Sequence, residues 1–172
     1  MKFPRTLALM SLFSLLFGFA RGEPLKVGDK APVVSAMTDE GKTLNLGDVY
    51  KKNNYTLVWF YPKALTGGCT KQGCSLRDAT ADLKAKGVAV VGVSTDPVEK
   101  QKEFKEVNKF PYPLLADTDK TVIKAFGQAG IAPVASREAY LINREGMVVY
   151  HDEKQIDKQA EKVLEFLNSQ KG

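Results

Sequence analysis

Apolar positions along the chain fall into continuous runs and helix-spaced stripes, and their order predicts the fold class. Two nearly continuous apolar runs, residues 56–61 and 88–94, are typical of strands that are buried on both faces of a sheet. Between them, residues 66–86 carry apolar side chains at helical spacing and end before Gly87, a residue type that often terminates helices. Strand, crossover helix and strand form a βαβ unit, so we expect the two strands to be parallel.

The rest of the pattern continues this alternation of strands and helices. The further predicted elements, in chain order, are a hairpin of residues 31–37 and 43–46, a helix with Asp96 as N-cap and Pro97 as first residue that runs to about Lys109, a strand 113–116, a helix 117–126, a hairpin of 139–142 and 147–150, and a helix 155–169. We therefore expect an α/β protein in which helices cover both faces of a mixed central sheet. The length of 172 residues suits one domain.

The first 22 residues differ from the rest and predict a secretory signal peptide. Lys2 and Arg5 precede an apolar stretch, residues 7–20, and small residues occupy the two positions that signal peptidase inspects, Ala20 and Gly22. A retained membrane anchor is the alternative, but this stretch is shorter than the ~20 residues that span a bilayer. We expect residues 1–22 to direct export, with the periplasm as destination, and residues 23–172 to form the single domain.

The net charge does not indicate a nucleic-acid partner. The formal charge of the whole chain is +5, and residues 1–22 contain three basic residues and no acidic ones, which leaves +2 for residues 23–172. The remaining lysines are scattered among acidic residues and form no basic stripe. We therefore expect no role in nucleic-acid binding.

Cys69 and Cys74 are the only cysteines in the sequence and mark the candidate site. Cys69 is expected where the first buried strand ends and the next helix begins. Free N–H groups and a positive partial charge at a helix N-terminus favour a thiolate, and a cysteine in this place suggests a thioredoxin-like fold. A permanent structural disulfide is the alternative, although so short a loop would add only about 2 kcal/mol of stability.

The spacing of the two cysteines argues against a rigid thiol–disulfide exchanger. In a helix, the α-carbons of residues i and i+5 are about 8.6 Å apart, whereas those of a Cys-x-x-Cys pair are about 5 Å apart, within the range of a disulfide. A bond between Cys69 and Cys74 therefore requires the start of the helix to unwind. Gly67, Gly68 and Gly73 lower helix stability around both cysteines, which is consistent with a site that alternates between a helical and a locally unfolded form.

Several short motifs occur in a fixed order around and after this stretch. They are Pro62-x-x-x-Thr66-x-x-Cys69 with Tyr-Pro-Lys at its start, Cys74 five residues later, Leu76-Arg77-Asp78, Gly92-Val93-Ser94, and Arg137. On these residues the sequence resembles the peroxiredoxins, and among them the bacterioferritin comigratory protein or peroxiredoxin Q group. The resemblance covers about residues 25–167.

This resemblance implies a thiol peroxidase without a cofactor or a metal. Cys69 is the implied peroxidatic nucleophile, oxidised by peroxide to a sulfenic acid, and Cys74 the resolving cysteine, which forms an intramolecular disulfide with it. Thr66 is expected to hold the thiolate and the peroxide, Arg137 to supply positive charge, and Pro62 to shield the site from water. The implied partners are hydrogen peroxide or an organic hydroperoxide and a thioredoxin-like dithiol reductant, acting on a monomer.

One position departs from the pattern of the group. Where these proteins usually have Thr-Pro-Gly-Cys, this chain has Gly67 in place of the proline. Glycine leaves the chain before Cys69 less constrained than proline does. We expect this difference to affect rate and local stability and not the type of reaction.

Two other functions also use a pair of cysteines. A thiol–disulfide oxidoreductase of the cell envelope is disfavoured by the five-residue step. A copper metallochaperone would need His151, the only histidine, to reach the cysteines, and those proteins use a closer Cys-x-x-x-Cys pair. The sequence around His151 favours a solvated turn after the last strand over a metal ligand.

Overall fold

One mixed sheet forms the centre of the protein. The computed structural model describes residues 23–128, 134–153 and 157–170. Within these residues seven strands form a sheet in the order β2-β1-β5-β4-β3-β6-β7. The strands are β1 (Ser35–Thr38), β2 (Thr43–Asn45), β3 (Tyr55–Phe60), β4 (Val88–Ser94), β5 (Leu114–Ala116), β6 (Ala139–Asn143) and β7 (Val148–Asp152). β3 pairs with β4, and β4 with β5, in parallel, which confirms the βαβ prediction, and the other pairs are antiparallel.

Helices cover both faces of this sheet, as predicted. They are α1 (Leu46–Lys52), α2 (Gly67–Asp78), α3 (Thr80–Ala85), α4 (Val98–Asn108), α5 (Thr121–Ala125) and α6 (Gln159–Ser169). Buried side chains of α2, α3, α4 and α6 belong to the apolar core on one face, and those of α1 and α5 to the core on the other. We call these the first and the second core.

Alternation along β3 separates the two cores and positions the site. Leu57 and Trp59 point into the first core, and Val58 and Phe60 into the second, all of them with no exposed surface. Tyr61, directly after the strand, again belongs to the first core and is fully buried. Because side chains of a strand alternate between faces, the chain that leaves β3 delivers the following loop to the first face.

Two predicted helices differ locally from the helices in the structure. The helix predicted over residues 66–86 is interrupted at Ala79, whose backbone leaves the helical region (φ −90°, ψ 5°) between α2 and α3. The helix predicted from Asp117 begins only at Thr121, since the buried Asp117 carboxylate accepts hydrogen bonds from the N–H groups of Val122 (2.9 Å) and Ile123 (2.8 Å). Thus a side chain replaces the first helical turn there.

Helix α1 was missed by the sequence prediction, which placed its first residue in a strand. It has seven residues and includes a glycine and a β-branched valine, so its helical pattern is weak. Its start is fixed by Asn45, whose Oδ1 accepts from the N–H of Asp48 at 3.3 Å, and it buries Leu46 and Tyr50 in the second core. The packing of these two side chains, which a short pattern does not reveal, stabilises the helix.

Candidate active site

Cys69 lies at the start of α2, on the loop side of the central strand β3. It is the third residue of the helix and has no exposed surface. The first turn of a helix carries N–H groups that have no partner inside the helix, and these surround the position of Cys69. The structure therefore confirms the predicted location, with the helix beginning at Gly67.

Thr66 is the N-cap residue of α2, but its hydroxyl caps none of the described N–H groups. Its Oγ1 donates instead to the carbonyl oxygen of Lys63, 2.9 Å away. A hydroxyl that donates one hydrogen bond can still accept others. Thr66 thus keeps an acceptor free one turn before Cys69, although the helix-capping role that its residue type suggests is not the one it has.

Asp96 anchors the loop that carries this threonine. Its Oδ2 accepts a hydrogen bond from the N–H of Ala64 at 2.7 Å and another from Oγ of Ser94, also at 2.7 Å. Asp96 was predicted to be an N-cap, but the N-cap of α4 is Pro97, and the Asp96 carboxylate is committed to the loop. Ser94 is the last residue of the Gly92-Val93-Ser94 motif, and this motif was the one feature of the sequence that indicated a role for this region.

Arg137 is brought to the site from far along the sequence. A β-carbon added to Gly68 would lie only 3.0 Å from Nη2 of Arg137, so the guanidinium group rests on the helix backbone one residue before Cys69. The buried Nε of Arg137 has no hydrogen-bond partner among the described residues. A buried donor without a partner is costly, and it offers a hydrogen bond to a ligand that enters beside Cys69.

Pro62 lies two residues after the end of β3 and is half-buried. It follows the buried Tyr61, whose N–H donates to the carbonyl oxygen of Val93 at 3.1 Å, and so the ladder with β4 extends to the residue before the proline. Since proline has no N–H, the ladder ends here, as predicted. The role of Pro62 in excluding water stays a prediction.

Cys74 lies in the same helix as Cys69 and is partly exposed. Both thiols are free in this structure, which does not support a permanent structural disulfide. The Cys74 Sγ lies 3.8 Å from Oδ1 of Asn108 in α4. Since α2 is continuous from Gly67 to Asp78, the two cysteines are held about 8.6 Å apart, beyond the ~7 Å limit for a disulfide.

Gly73, next to Cys74, allows the helix to pack closely on an aromatic wall. A β-carbon there would lie 2.5 Å from Phe110 and 3.1 Å from Trp59, and the Gly73 carbonyl oxygen accepts from the hydroxyl of Tyr112 at 2.8 Å. Trp59 stacks on Tyr61 with ring centroids 4.5 Å apart. Gly73 thus has a packing role that its helix propensity alone does not show.

A buried polar network lies behind this wall. The hydroxyl of Tyr61 donates to Oε1 of Gln101, and Nε2 of Gln101 donates to Oγ of Ser94 (2.8 Å) and to the carbonyl oxygen of Leu115 (2.9 Å). Burial raises the pKa of Tyr61, so its phenol stays protonated as a donor. Because Ser94 also binds Asp96, the network connects β4 and α4 to the loop before Cys69.

His151 does not lie in a solvated turn, and this correction also bears on the copper hypothesis. It belongs to β7, where its ring stacks on Tyr140 (centroids 4.2 Å apart) and its Nε2 lies 2.9 Å from the Glu138 carboxylate. The strand continues two residues further than the apolar pattern indicated, which places the histidine against β6. Among the described residues no group of three or more histidine, cysteine and acidic side chains is arranged to hold a metal.

Comparison with known proteins identifies the family. Residues 27–151 match the AhpC/TSA family. The chain belongs to the AhpC/TSA family. It is 46% identical over 107 residues to peroxiredoxin Bcp of Escherichia coli (strain K12), covering 62% of this chain and 67% of that protein. It is also 34% identical over 146 residues to chloroplastic peroxiredoxin Q of Suaeda salsa, covering 83% and 67%.

A solved peroxiredoxin supports the same assignment at the level of structure. The crystal structure of peroxidoxin BcpB from Mycobacterium tuberculosis superposes with a TM-score of 0.79 at 31% identity, covering 86% of this chain and 99% of that one. The predicted thioredoxin-like fold and the peroxiredoxin assignment are therefore confirmed. This peroxiredoxin is a thiol peroxidase, which implies a peroxide substrate and a thioredoxin-type reductant. The two alternatives, a thiol–disulfide oxidoreductase and a copper metallochaperone, have no support.

The predicted location outside the cytoplasm is wrong. The Bcp relatives of this peroxiredoxin are cytoplasmic proteins, and this contradicts export to the periplasm. The prediction of export rested only on an apolar stretch that follows two basic residues, and the relatives give stronger evidence than this compositional pattern. The signal peptide predicted for residues 1–22 lies outside the described residues. In the part of the chain that the structure describes, no helix is long and apolar enough to cross a membrane.

Proposed function

We propose that Cys69 is the peroxidatic cysteine of this thiol peroxidase and that Cys74 resolves it. One observation carries the proposal: the Arg137 guanidinium, with an unpaired buried donor, rests on Gly68 directly beside the buried Cys69. Positive charge and a free donor at this place suit the negative charge that develops on a peroxide oxygen during attack. Thr66, which keeps an acceptor free, holds the proton of the hydroperoxide in the same site.

The reaction has two chemical steps and a reduction. The Cys69 thiolate attacks one peroxide oxygen, the O–O bond breaks, and the leaving oxygen takes a proton to become water or an alcohol. Cys69 is then a sulfenic acid. Cys74 attacks its sulfur, which forms the disulfide and releases water, and an external dithiol reduces the disulfide by exchange.

The second step requires α2 to open. With both cysteines in one continuous helix, their sulfur atoms cannot reach bonding distance until the turn between them unwinds. The helical form is therefore the form that reacts with peroxide, and the unwound form is the one that makes the disulfide. Both cysteines belong to the same helix, so a monomer suffices for the whole cycle.

We propose organic hydroperoxides as well as hydrogen peroxide as substrates. Alkyl peroxide reduction activity is attributed to a solved relative, the bacterioferritin comigratory protein of Xanthomonas campestris, which superposes with a TM-score of 0.74 at 23% identity. In this chain Leu65, whose apolar side chain is 38% exposed, belongs to the loop before Cys69. An alkyl group can lie against such a side chain without the loss of a hydrogen bond.

Rapid mixing of reduced protein with peroxide tests the two assignments. We expect Cys69→Ser to abolish peroxide consumption, because the nucleophile is absent. Cys74→Ser should complete one turnover and accumulate sulfenic acid, because the first step is intact and the second is blocked. Peroxide loss and trapping of the sulfenic acid by a dimedone-type reagent measure the two outcomes.

The comparison of the two variants contains its own control. Both replace a sulfur by an oxygen in the same helix, and the two variants are expected to fail at different steps, which a general effect on folding would not produce. Equal first-turnover rates in wild type and Cys69→Ser would refute the assignment of Cys69. Repeated turnover of Cys74→Ser at the wild-type rate with a dithiol reductant would refute that of Cys74.

A further inference from the structure

A pair of buried glutamine side chains joins the reactive helix α2 to the last helix, α6. Gln72 and Gln159 both have no exposed surface. Nε2 of Gln72 donates to Oε1 of Gln159 at 3.0 Å and to the carbonyl oxygen of Phe60 at 3.3 Å. The pair thus connects α2, α6 and the end of β3.

The hydrogen bonding of this amide pair is incomplete. Among the described residues, Oε1 of Gln72 and Nε2 of Gln159 have no hydrogen-bond partner. A buried amide group without a partner destabilises the state in which it is buried, because water would otherwise solvate it. The closed, helical form of α2 therefore carries two polar groups that gain hydrogen bonds as soon as water reaches them.

The position of Gln72 couples this pair to the two cysteines. Four residues separate Cys69 from Cys74, and of these only Gln72 and Gly73 are buried. Unwinding the turn between the cysteines must displace Gln72 from its place beside Gln159. The same displacement exposes the two unpaired amide groups to solvent.

We propose that the Gln72–Gln159 pair sets how readily α2 opens and thereby sets the rate at which Cys74 captures the oxidised Cys69. This inference rests on the proposed roles of the two cysteines. The pair acts as a positioning element: its hydrogen bonds align the closed helix, and its two unpaired groups favour opening. The equilibrium between the closed and the open form of α2 does not affect peroxide reduction in the closed form, whereas the rate of disulfide formation depends on it.

Substitution by methionine separates the two contributions, because methionine has a similar, unbranched shape and no amide. In Gln72→Met, Oε1 of Gln159 loses its hydrogen-bond partner and Nε2 still has none, while both atoms stay buried, so the closed form is weakened and resolution becomes about threefold or more faster. In Gln72→Met with Gln159→Met, no unpaired amide remains, and resolution becomes about tenfold slower than in wild type. A role limited to general stability would move both variants in the same direction.

Two phases of Trp59 fluorescence after mixing with hydrogen peroxide provide the measurement. The rate of the first phase depends on peroxide concentration and reports oxidation of Cys69, and the rate of the second does not and reports disulfide formation. We expect the first-phase rate to stay within about twofold of wild type in both variants, and the second-phase rates to move in opposite directions. The double variant should also accumulate more sulfinic acid at high peroxide, measured by mass spectrometry, because its sulfenic acid persists.

Val163→Ala is the matched control. Val163 is fully buried in α6 and belongs to the first core, so its truncation lowers global stability and removes no hydrogen-bonding group of the amide pair. We expect its second-phase rate to equal that of wild type. The inference is overturned if the double methionine variant resolves as fast as wild type or if Val163→Ala reproduces the rate changes. Absence of the first phase in wild type would instead refute the assignment of Cys69, and with it the inference.

Discussion

Gly67→Pro should slow the formation of the Cys69–Cys74 disulfide and leave the reaction of Cys69 with peroxide unchanged. Gly67 is the first residue of α2, the one helical position where proline is favoured. The preceding residue, Thr66, already has the extended backbone that proline requires before it (φ −92°, ψ 150°). Apart from its chain neighbours and the backbone of α2, no heavy atom lies within 4 Å of a β-carbon added at Gly67. Proline therefore fits the closed form without displacing a neighbour.

The size of the expected change in the resolution rate follows from the conformational entropy that proline removes from the unwound chain. A proline at a compatible position stabilises the ordered conformation by about 0.4–1 kcal/mol, chiefly because the disordered chain has fewer conformations. If disulfide formation requires α2 to unwind, the unwound population and the rate of resolution should both fall roughly two- to fivefold. Gly67→Ala, which restricts the chain less than proline does, should give a smaller effect in the same direction.

The assay uses the single tryptophan of the chain. Trp59 lies beside Gly73 and stacks on Tyr61, so its fluorescence should respond when α2 leaves the aromatic wall. Stopped-flow mixing with increasing hydrogen peroxide separates the concentration-dependent oxidation of Cys69 from the concentration-independent resolution. Amide hydrogen exchange of residues 67–78 in the reduced protein gives an independent measure of opening.

Gly68→Ala supplies the control from the neighbouring position. Alanine at position 68 places a β-carbon 3.0 Å from the Arg137 guanidinium, so Gly68→Ala should displace the arginine and slow the first phase. The reasoning is refuted if Gly67→Pro leaves both resolution and hydrogen exchange of α2 at their wild-type values. It is also refuted if Gly67→Pro and Gly68→Ala change the same phase.

Two further predictions concern the supports of the site. Asp96→Ala removes the acceptor of the Ala64 N–H, so we expect the unfolding free energy, measured with urea, to fall by about 1–2 kcal/mol. The first phase in stopped flow should also slow. Asp96→Asn keeps an acceptor oxygen and should therefore lose less stability and less of the first-phase rate. Burial alone would raise the pKa of Glu138, but hydrogen bonds from His151, Ser136 and Tyr140 outweigh it and hold that pKa below its usual value. Stability from Glu138 is thus present above the usual glutamate pKa of about 4.3 and is lost as the pH falls through the lowered value, so wild type should lose more unfolding free energy than Glu138→Gln on acidification, and parallel stability curves would contradict this.

The sequence predicted the elements that rely on long apolar patterns and the residues that belong to a motif. β3 and β4, with their continuous apolar runs, lie within one residue of their predicted bounds. Cys69 and Cys74 lie in one helix, as the helical pattern of residues 66–86 predicted. The order of the motifs also predicted that Arg137 belongs to the site. Arg137 lies 68 positions after Cys69, so a local sequence pattern could not have predicted this.

Features that depend on contacts between distant segments could not be predicted. The Gln72–Gln159 pair joins two helices whose glutamines look like ordinary polar positions, because burial is decided by packing and not by residue type. Asp96 resembled a helix cap, and only the fold shows that its carboxylate faces Ala64. His151 followed an apolar run, and its place against Glu138 depends on how far β7 pairs with β6.

The two apolar cores lie on opposite faces of the sheet, and only the first one packs against the helix that carries the cysteines. With the roles proposed above for the two cysteines, the helix that must unwind in each redox cycle is α2, and its buried side chains belong to the first core. The second core, packed by Val58, Phe60 and the helices α1 and α5, contains neither cysteine. On the proposed cycle, α2 can therefore unwind and re-form on one face of the sheet while the packing on the other face is retained, so disulfide formation needs no global unfolding.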